Sequence, residues 1–458
     1  MDFIHPPYDS TDTIAAIATP PGEGGVAIIR ISGQRALEIA SRLFSGPVRS
    51  YQSHTAHFGR VIDAQAQTVD EALLLPMHAP RSYTGEDTVE IHCHGGSLIA
   101  QRVLETALSA GARPARPGEF TFRAFMNGKI DLSQAEAVQT VIGAKSQLAL
   151  DTAQHQLQGR LSERVLHLQT ELTNLAAVLE AWVDFPEEGL EFMTMEALIK
   201  ELEHILSMIQ SYAETFHEGK RIHSGISLCL IGPPNAGKSS LMNALLGSER
   251  AIVTAIPGTT RDLIEEDMRL GALHFRLIDT AGIRSAEEII EQEGIRRSRE
   301  ALRAADVILL VLDASAPLSS EAEELVASCP REKSLLVWNK IDLTCTDERP
   351  FLFPHTACVS AREKIGLDAL KEEIDKLVWS KGPPSKEEIV ITSSRHHSAL
   401  KEAEAALSSL IRSLQTEVSA EFAASDMRAA LNALGSIIGT NITEDILSAI
   451  FSKFCVGK

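Results

Sequence analysis

No stretch of this sequence is apolar for long enough to cross a bilayer. The longest strongly apolar run is Val307–Leu312, far short of the roughly 20 residues that a spanning helix needs. Cysteine is sparse and scattered, at positions 93, 229, 329, 345, 358 and 455 with no C-x-x-C pair, which suits a reducing cytoplasm. The opening MDFIHPPYDS has neither a basic nor an apolar segment, so no secretory signal is expected there. Positive charge is short as well: 43 Lys and Arg face 62 Asp and Glu, a net charge of −19. Such a chain is a poor unaided grip for a phosphate backbone, so a basic partner or a local patch would have to bring in any nucleic acid. At 458 residues with 44% hydrophobic residues, about three domains with sizeable cores are expected.

What is present centres on residues 226–240, ISLCLIGPPNAGKSS. Ile226–Ile231 predicts a buried strand, and Gly232 to Ser239 fit G-x-x-x-x-G-K-[ST] at every required position. A helical pattern closed by Gly247 follows. Glycines let the backbone wrap a triphosphate, with N–H groups and the helix N-terminus turned to its oxygens. Lys238 is expected to reach the β- and γ-phosphates, and the Ser239 hydroxyl to ligate Mg²⁺.

Upstream, Thr13–Ala18 and Val26–Ile31 read as strands of a hairpin around Pro-Pro-Gly-Glu-Gly-Gly. Glu71–Pro76 and Thr88–His92 are further strand candidates, and Ser97–Ala110 is helical in pattern. An α+β domain ending near residue 120 is the simple reading. His92, Cys93 and His94 invite a metal reading, but no second cluster supplies the remaining ligands, and a Gly-Gly turn after a strand explains the segment. Beyond Lys129 the period becomes helical. Leu157, Leu161, Val165, Leu168, Leu172, Leu175, Leu179 and Trp182 form one stripe, and Leu198, Leu202, Ile205, Ile209, Tyr212 and Phe216 another. Leu400, Leu407, Leu410 and Leu414, then Leu431, Leu434, Ile438, Ile442, Ile446 and Ile450, repeat the spacing. Residues 130–218 and 386–450 are therefore expected to pack as one bundle, with the nucleotide domain inserted between them.

Within that insert, Phe275–Ile278 leads into Asp279-Thr280-Ala281-Gly282, where a carboxylate can hold the Mg²⁺ shell and a glycine N–H can sense a γ-phosphate. Val307–Asp313 and Ser334–Val337 are two more strands, the second running into Asn339-Lys340-Ile341-Asp342. The Asp342 carboxylate can accept both N1–H and the 2-amino group of guanine, donors that adenine lacks. Ser360-Ala361, after Thr356–Val359, completes a guanine loop, and Gly258-Thr259-Thr260-Arg261-Asp262 reads as a switch loop with Thr260 as a second Mg²⁺ hydroxyl. The motifs specify a GTPase. Signalling GTPases place Gln directly after D-x-x-G to orient water, whereas here Ile283 stands there and cannot hydrogen-bond. Glu287–Arg299 offers carboxylates nearby, although a charged run of this kind is ordinarily a solvated helix face.

The combination resembles the MnmE (TrmE) family of bacterial and organellar tRNA-modification GTPases over essentially the whole chain. The shared features are T-P-P-G-x-G-G-V from Thr19, R-P-G-E-F at 116–120, N-G-K-I-D-L at 127–132, the inserted GTPase and the final F-C-V-G-K. The resemblance implies a multidomain α/β protein. Its parts would be an α+β folate-binding-like dimerisation domain (1–120), a helical bundle domain (121–221 and 382–458) and an inserted P-loop, Ras-like GTPase domain (222–381). The implied GTP contacts are Asn235, Ala236, Gly237, Lys238, Ser239 and Ser240; Thr254, Ala255, Ile256, Pro257, Gly258, Thr259 and Thr260; Asp279, Thr280, Ala281 and Gly282; and Asn339, Lys340, Asp342, Ser360, Ala361 and Arg362. A K⁺ ion would sit on Asn235, on the carbonyls of Thr254 and Ile256, and on Thr259, neutralising charge that develops between the phosphates. The water-orienting carboxylate would be Glu291. A 5-formyltetrahydrofolate or related tetrahydrofolate would bind Arg30, Glu90 and Lys129 under Lys458, with Cys455 facing that site. The family's partners are a second copy of the chain, an FAD-dependent protein (MnmG, also called GidA) in a heterotetramer or larger assembly, and tRNA held by the complex, with no membrane. The expected outcome is a potassium-activated GTPase that adds a carboxymethylaminomethyl or aminomethyl group at C5 of the wobble uridine. The rival expectation is a ribosome-assembly or stress-regulatory GTPase without modification chemistry.

Overall fold

The computed structural model describes residues 12–184, 193–248, 266–271, 273–278, 303, 305–344, 352–379, 382, 385, 388–416 and 420–457. The chain divides into two compact units. One comprises Met1–Ile142, Gln154–Ser207 and Ala399–Lys458; the other comprises Gly143–Ala153 and Met208–Ser398.

In the first unit, β1 (Ile14–Ile17), β2 (Val26–Ser32), β3 (His57–Ile62), β4 (Thr68–Met77), β5 (Thr88–His94) and β6 (Arg113–Pro114) form a sheet in the order β3-β4-β5-β2-β1-β6. β1 and β2 make the antiparallel hairpin that the sequence predicts, and β6 joins β1 in parallel. One face is covered by helices Ala36–Leu43 and Ser97–Ser109. Their residues Ile39, Leu43, Val103 and Ala107 bury against Ile29, Ile31, Val89 and Ile91, the spacing expected of a one-sided helix on a pleated sheet. On the other face Phe120 covers Ile14 and Ala16.

R-P-G-E-F has a structural purpose. Gly118 takes φ +69, and a Cβ there would collide with the carbonyl of Phe451. Glu119 opens helix Glu119–Met126 and accepts from the Arg116 N–H at 2.8 Å and from Arg113 at 2.6 Å. Arg123, 1% exposed, is enclosed by Asp12, Glu86 and Glu119. Burial works to raise the Glu119 carboxyl, yet the hydrogen bonds from Arg113 and the Arg116 N–H and the nearby guanidinium charges outweigh it and leave it below the ordinary range.

The long helix Arg160–Asp184 buries Leu161, Val165, Leu168, Leu172, Leu175 and Leu179. It packs along helix Ala420–Ile438, where Gln169 donates from Nε2 to the Leu431 carbonyl at 3.2 Å. The last stripe read from the sequence does not run through. The helix stops at Ile438, Gly439 turns with φ +92, and the next helix, Glu444–Phe451, leaves Ile446 41% exposed. Phe451 and Phe454 are the buried residues there, against Leu132, Ala135 and Val138. A turn between two helices resets the phase, which a spacing pattern carried across it cannot follow.

In the second unit, β7 (Ile226–Ile231), β8 (Glu266–Leu270), β9 (Leu273–Ile278), β10 (Val307–Asp313), β11 (Ser334–Asn339) and β12 (His355–Cys358) form a sheet in the order β12-β11-β10-β7-β9-β8. All pairings are parallel except β8 with β9. The central strands are apolar on both sides because both faces are covered. Leu228, Leu309 and Val337 pack with helices Lys238–Ser248 and Leu367–Val378, while Cys229, Leu310 and Trp338 pack on the opposite face with helix Ser320–Ser328. Segments outside the nucleotide motifs join this core: Ala149 and Ile222 are buried in it, and a Cβ on Gly219 would collide with the Ile391 carbonyl.

Candidate functional site

The phosphate loop runs between the carboxyl end of β7 and helix Lys238–Ser248, where open α/β sheets bind ligands. Its close approaches explain its glycines. A Cβ on Gly232, at φ +153, would strike the Val311 carbonyl, and one on Gly237, at φ +89, would strike the Asn339 side-chain amide. Asn235 holds φ +61 without being glycine. Lys238 turns its ammonium back on the loop, donating to the carbonyls of Gly232 at 2.6 Å and Pro233 at 2.9 Å. Burial lowers its pKa, partly opposed by Glu321. Ser239 and Ser240 lie exposed in the first turn of the helix.

Asn339, 2% exposed, joins this loop to the guanine loop. Its Nδ2 donates to the Ala236 carbonyl at 3.0 Å, and its Oδ1 accepts from the Ala361 N–H at 3.1 Å. Ser360 is fully buried, exchanges backbone hydrogen bonds with Ile365 and caps Glu363 N through Oγ. Arg362 and Asp342 are exposed. The ammonium of Lys340 pairs with Asp313 at 2.6 Å. The structure thus brings Asn235–Ser240, Asn339–Asp342 and Ser360–Arg362 to one end of the sheet. Thr254, Ala255, Ile256, Pro257, Gly258, Thr259, Thr260, Asp279, Thr280, Ala281, Gly282 and Glu291 lie outside the described residues, as does Lys458. Asp313 stands outside every motif the sequence spells out, a carboxylate at the end of an apolar strand.

In the first unit, Arg30 on β2 and Glu90 on β5 are direct cross-strand neighbours. They form a two-point ion pair, with Nε 2.9 Å and NH2 2.8 Å from Oε1. The guanidinium lies 5.5 Å from the Tyr83 ring centroid and 5.6 Å from that of Phe120, and its NH1 donates to the Gly457 carbonyl at 3.4 Å. Lys129 is exposed and donates to the Pro80 carbonyl at 3.0 Å, three residues before Tyr83. The segment that carries exposed Cys455 is held by backbone contacts: Gly118 N donates to the Cys455 carbonyl at 3.4 Å, and Gln139 donates to that of Lys453 at 3.1 Å. His92 and His94 hydrogen-bond separate carboxylates, Glu90 and Asp70. Among the described residues no group of three or more His, Cys, Asp or Glu could hold a metal.

Residues 13–129 match the family description "GTP-binding protein TrmE N-terminus", and residues 132–455 match "MnmE helical domain". A "tRNA modification GTPase MnmE" from Protochlamydia amoebophila is 59% identical over 458 residues, covering 100% of both chains. The chain belongs to the MnmE family. A relative of the same name from Chlamydia felis is 45% identical, covering 98% of this chain and 99% of that one. Another, from Geobacter metallireducens, is 42% identical with the same coverage. The architecture is accordingly a multidomain α/β one: a TrmE-type N-terminal domain, an MnmE helical domain and a P-loop GTPase domain. No helix among the described residues is long and apolar enough to cross a membrane.

The MnmE residues present fit the groups that such a GTPase handles. The phosphate loop leaves no room for side chains at Gly232 and Gly237, as a backbone cradle for phosphates requires. Ser239, an exposed residue beside it, carries a hydroxyl of the kind that suits Mg²⁺. Asn235 is the one K⁺ candidate within the described residues. Arg30 and Glu90, side by side on neighbouring strands, put a cation and an acceptor together, a pair that would suit the polar edge of a pterin.

Proposed function

We propose that the protein hydrolyses GTP in the cytoplasm and, as a homodimer with the FAD-dependent partner MnmG, uses that hydrolysis to modify C5 of the tRNA wobble uridine. The observation that carries the GTPase reading is Asn339, which ties the phosphate loop to the guanine loop from a buried position. In the nucleotide-bound protein, Lys238 exchanges its loop carbonyls for phosphate oxygens, and its partial burial strengthens that attraction. Asp342 faces solvent, ready to accept from the guanine edge. Ser239 and Thr260 would hold Mg²⁺, and Asn235, Thr254, Ile256 and Thr259 would hold K⁺, both ions supplying charge neutralisation to the transferring phosphate. Glu291 positions the attacking water in place of the glutamine that Ile283 displaces.

The tetrahydrofolate reading rests on the Arg30–Glu90 pair. Glu90 accepts from an aminopyrimidine edge while Arg30, bonded to it, holds that carboxylate in place; Lys129 attracts a carboxylate of the folate tail, and Lys458 would close the site. The family resemblance would turn Cys455 toward this site, on a segment whose backbone is held by Gly118 and Gln139. A tetrahydrofolate supplies the one-carbon unit, and the acidic chain relies on its partner to hold the tRNA. GTP turnover in potassium against sodium at equal ionic strength tests the cation assignment: a large excess in potassium is expected, and equal rates would remove K⁺ from the mechanism.

A further inference from the structure

Asp313 belongs to none of the nucleotide motifs, yet it lies next to one of them. It ends β10, in register with Asn339 at the end of β11. One of its carboxylate oxygens is occupied by its own turn, accepting from the Ser315 N–H at 2.9 Å and the Ser315 hydroxyl at 2.6 Å. The other accepts from the Lys340 ammonium at 2.6 Å. The turn itself is tied to the motif, since Ala314 N donates to the Asn339 carbonyl at 2.8 Å. Lys340 is fixed at its other end too: its backbone takes φ +65, a region that residues with a side chain rarely adopt. The chain after it is anchored by Ile341 N to the Val359 carbonyl at 3.2 Å and by Leu343 N to the Lys340 carbonyl at 3.0 Å. A four-carbon stem held at both ends is a flat apolar strip beside Asp342, and such stems cover apolar surface readily.

We propose that Asp313 is a positioning residue for guanine recognition: it tethers Lys340 so that the lysine stem forms one wall of the base site while Asp342 meets the base edge. The inference deepens the GTPase reading and rests on it. Burial tends to raise the Asp313 carboxyl, but the bonds from Lys340 and Ser315 prevail and keep it below the ordinary range, so the tether stays charged at neutral pH. Because the base is gripped alike in ground and transition states, loss of the tether should weaken binding without slowing the chemical step.

The test compares wild type, Asp313→Asn, Lys340→Met and the double variant in the full-length chain. It measures Kd for GDP and GTP, KM and kcat for GTP, and nucleotide-free thermal melting. Asp313→Asn is expected to raise Kd for both nucleotides roughly tenfold, with KM following, kcat retained and melting little changed. Lys340→Met should cost at least as much, and the double variant no more than Lys340→Met alone. Wild-type affinity in Asp313→Asn, additive losses in the double variant, or a fall in kcat at unchanged KM would overturn the assignment. A weakened affinity matched by a collapse in nucleotide-free melting would overturn it too, making the pair structural. Wild type that binds no guanine nucleotide would overturn the GTPase reading itself, and this inference with it.

Discussion

Replacing Asn339 with alanine removes two hydrogen bonds at once and exposes how the two halves of the nucleotide site depend on each other. The partners left behind are the Ala236 carbonyl and the Ala361 N–H, on residues only 1% and 7% exposed. A buried polar group stripped of its partner costs about 1–3 kcal/mol, so the two together cost ~2–6 kcal/mol before the loops relax. In the nucleotide-free variant the loops relax and water reaches the gap, so binding must re-form the site against about half of the upper figure, ~3 kcal/mol. With about 1.4 kcal/mol per decade, it corresponds to a loss of roughly 10²-fold in nucleotide affinity. Calorimetric titration with GDP reads this directly. The thermal stabilisation that saturating GDP gives the wild type should shrink in parallel. Asn339→Asp is the sharper control, because it keeps an acceptor for Ala361 N but sets a carboxylate oxygen against the Ala236 carbonyl. It should bind no better than Asn339→Ala. Either variant binding GDP within about threefold of wild type, a difference of only ~0.7 kcal/mol, would refute the idea that Asn339 joins the loops.

Arg123→Met should destabilise the N-terminal domain by about 3–5 kcal/mol, since Asp12, Glu86 and Glu119 lose the buried cation they share; a shift under ~1 kcal/mol in denaturant unfolding would contradict this. Glu119, whose carboxyl is held low in the fold, contributes stability that is present above its unfolded pKa and lost as pH falls through the folded value. The acid unfolding limb of Glu119→Gln, followed by circular dichroism, should therefore be shallower below about pH 4.5 than that of wild type, and superimposable limbs would count against the network.

The parallel strands of the nucleotide domain were legible because burial on both faces writes them as unbroken apolar runs, Val307–Asp313 above all. Strand β8 was not, because Glu266–Leu270 is an edge strand that alternates charged and apolar residues, with Met268 and Leu270 buried and Arg269 exposed. Strand β3 and helix Ala36–Leu43 form no part of the sequence expectation, although Ser32-Gly33 and Ser45-Gly46-Pro47 bracket the helix. The phosphate and guanine motifs were legible by residue type, but the bond that unites them was not: Asn339, Ala236 and Ala361 are brought together by the parallel sheet. The same holds for Asp12, Glu86, Glu119 and Arg123, each an ordinary surface charge until the fold collects them. Arg30 and Glu90 are paired by strand register, which no motif spells out.

The measurement that bears most directly on the account is nucleoside mass spectrometry of tRNA from host cells with and without this protein. The expected result is loss of a C5-substituted wobble uridine, restored by the wild-type chain but not by Glu291→Ala or by Cys455→Ser, the latter retaining GTP hydrolysis. An unchanged nucleoside profile in cells lacking the protein would contradict the account at its centre.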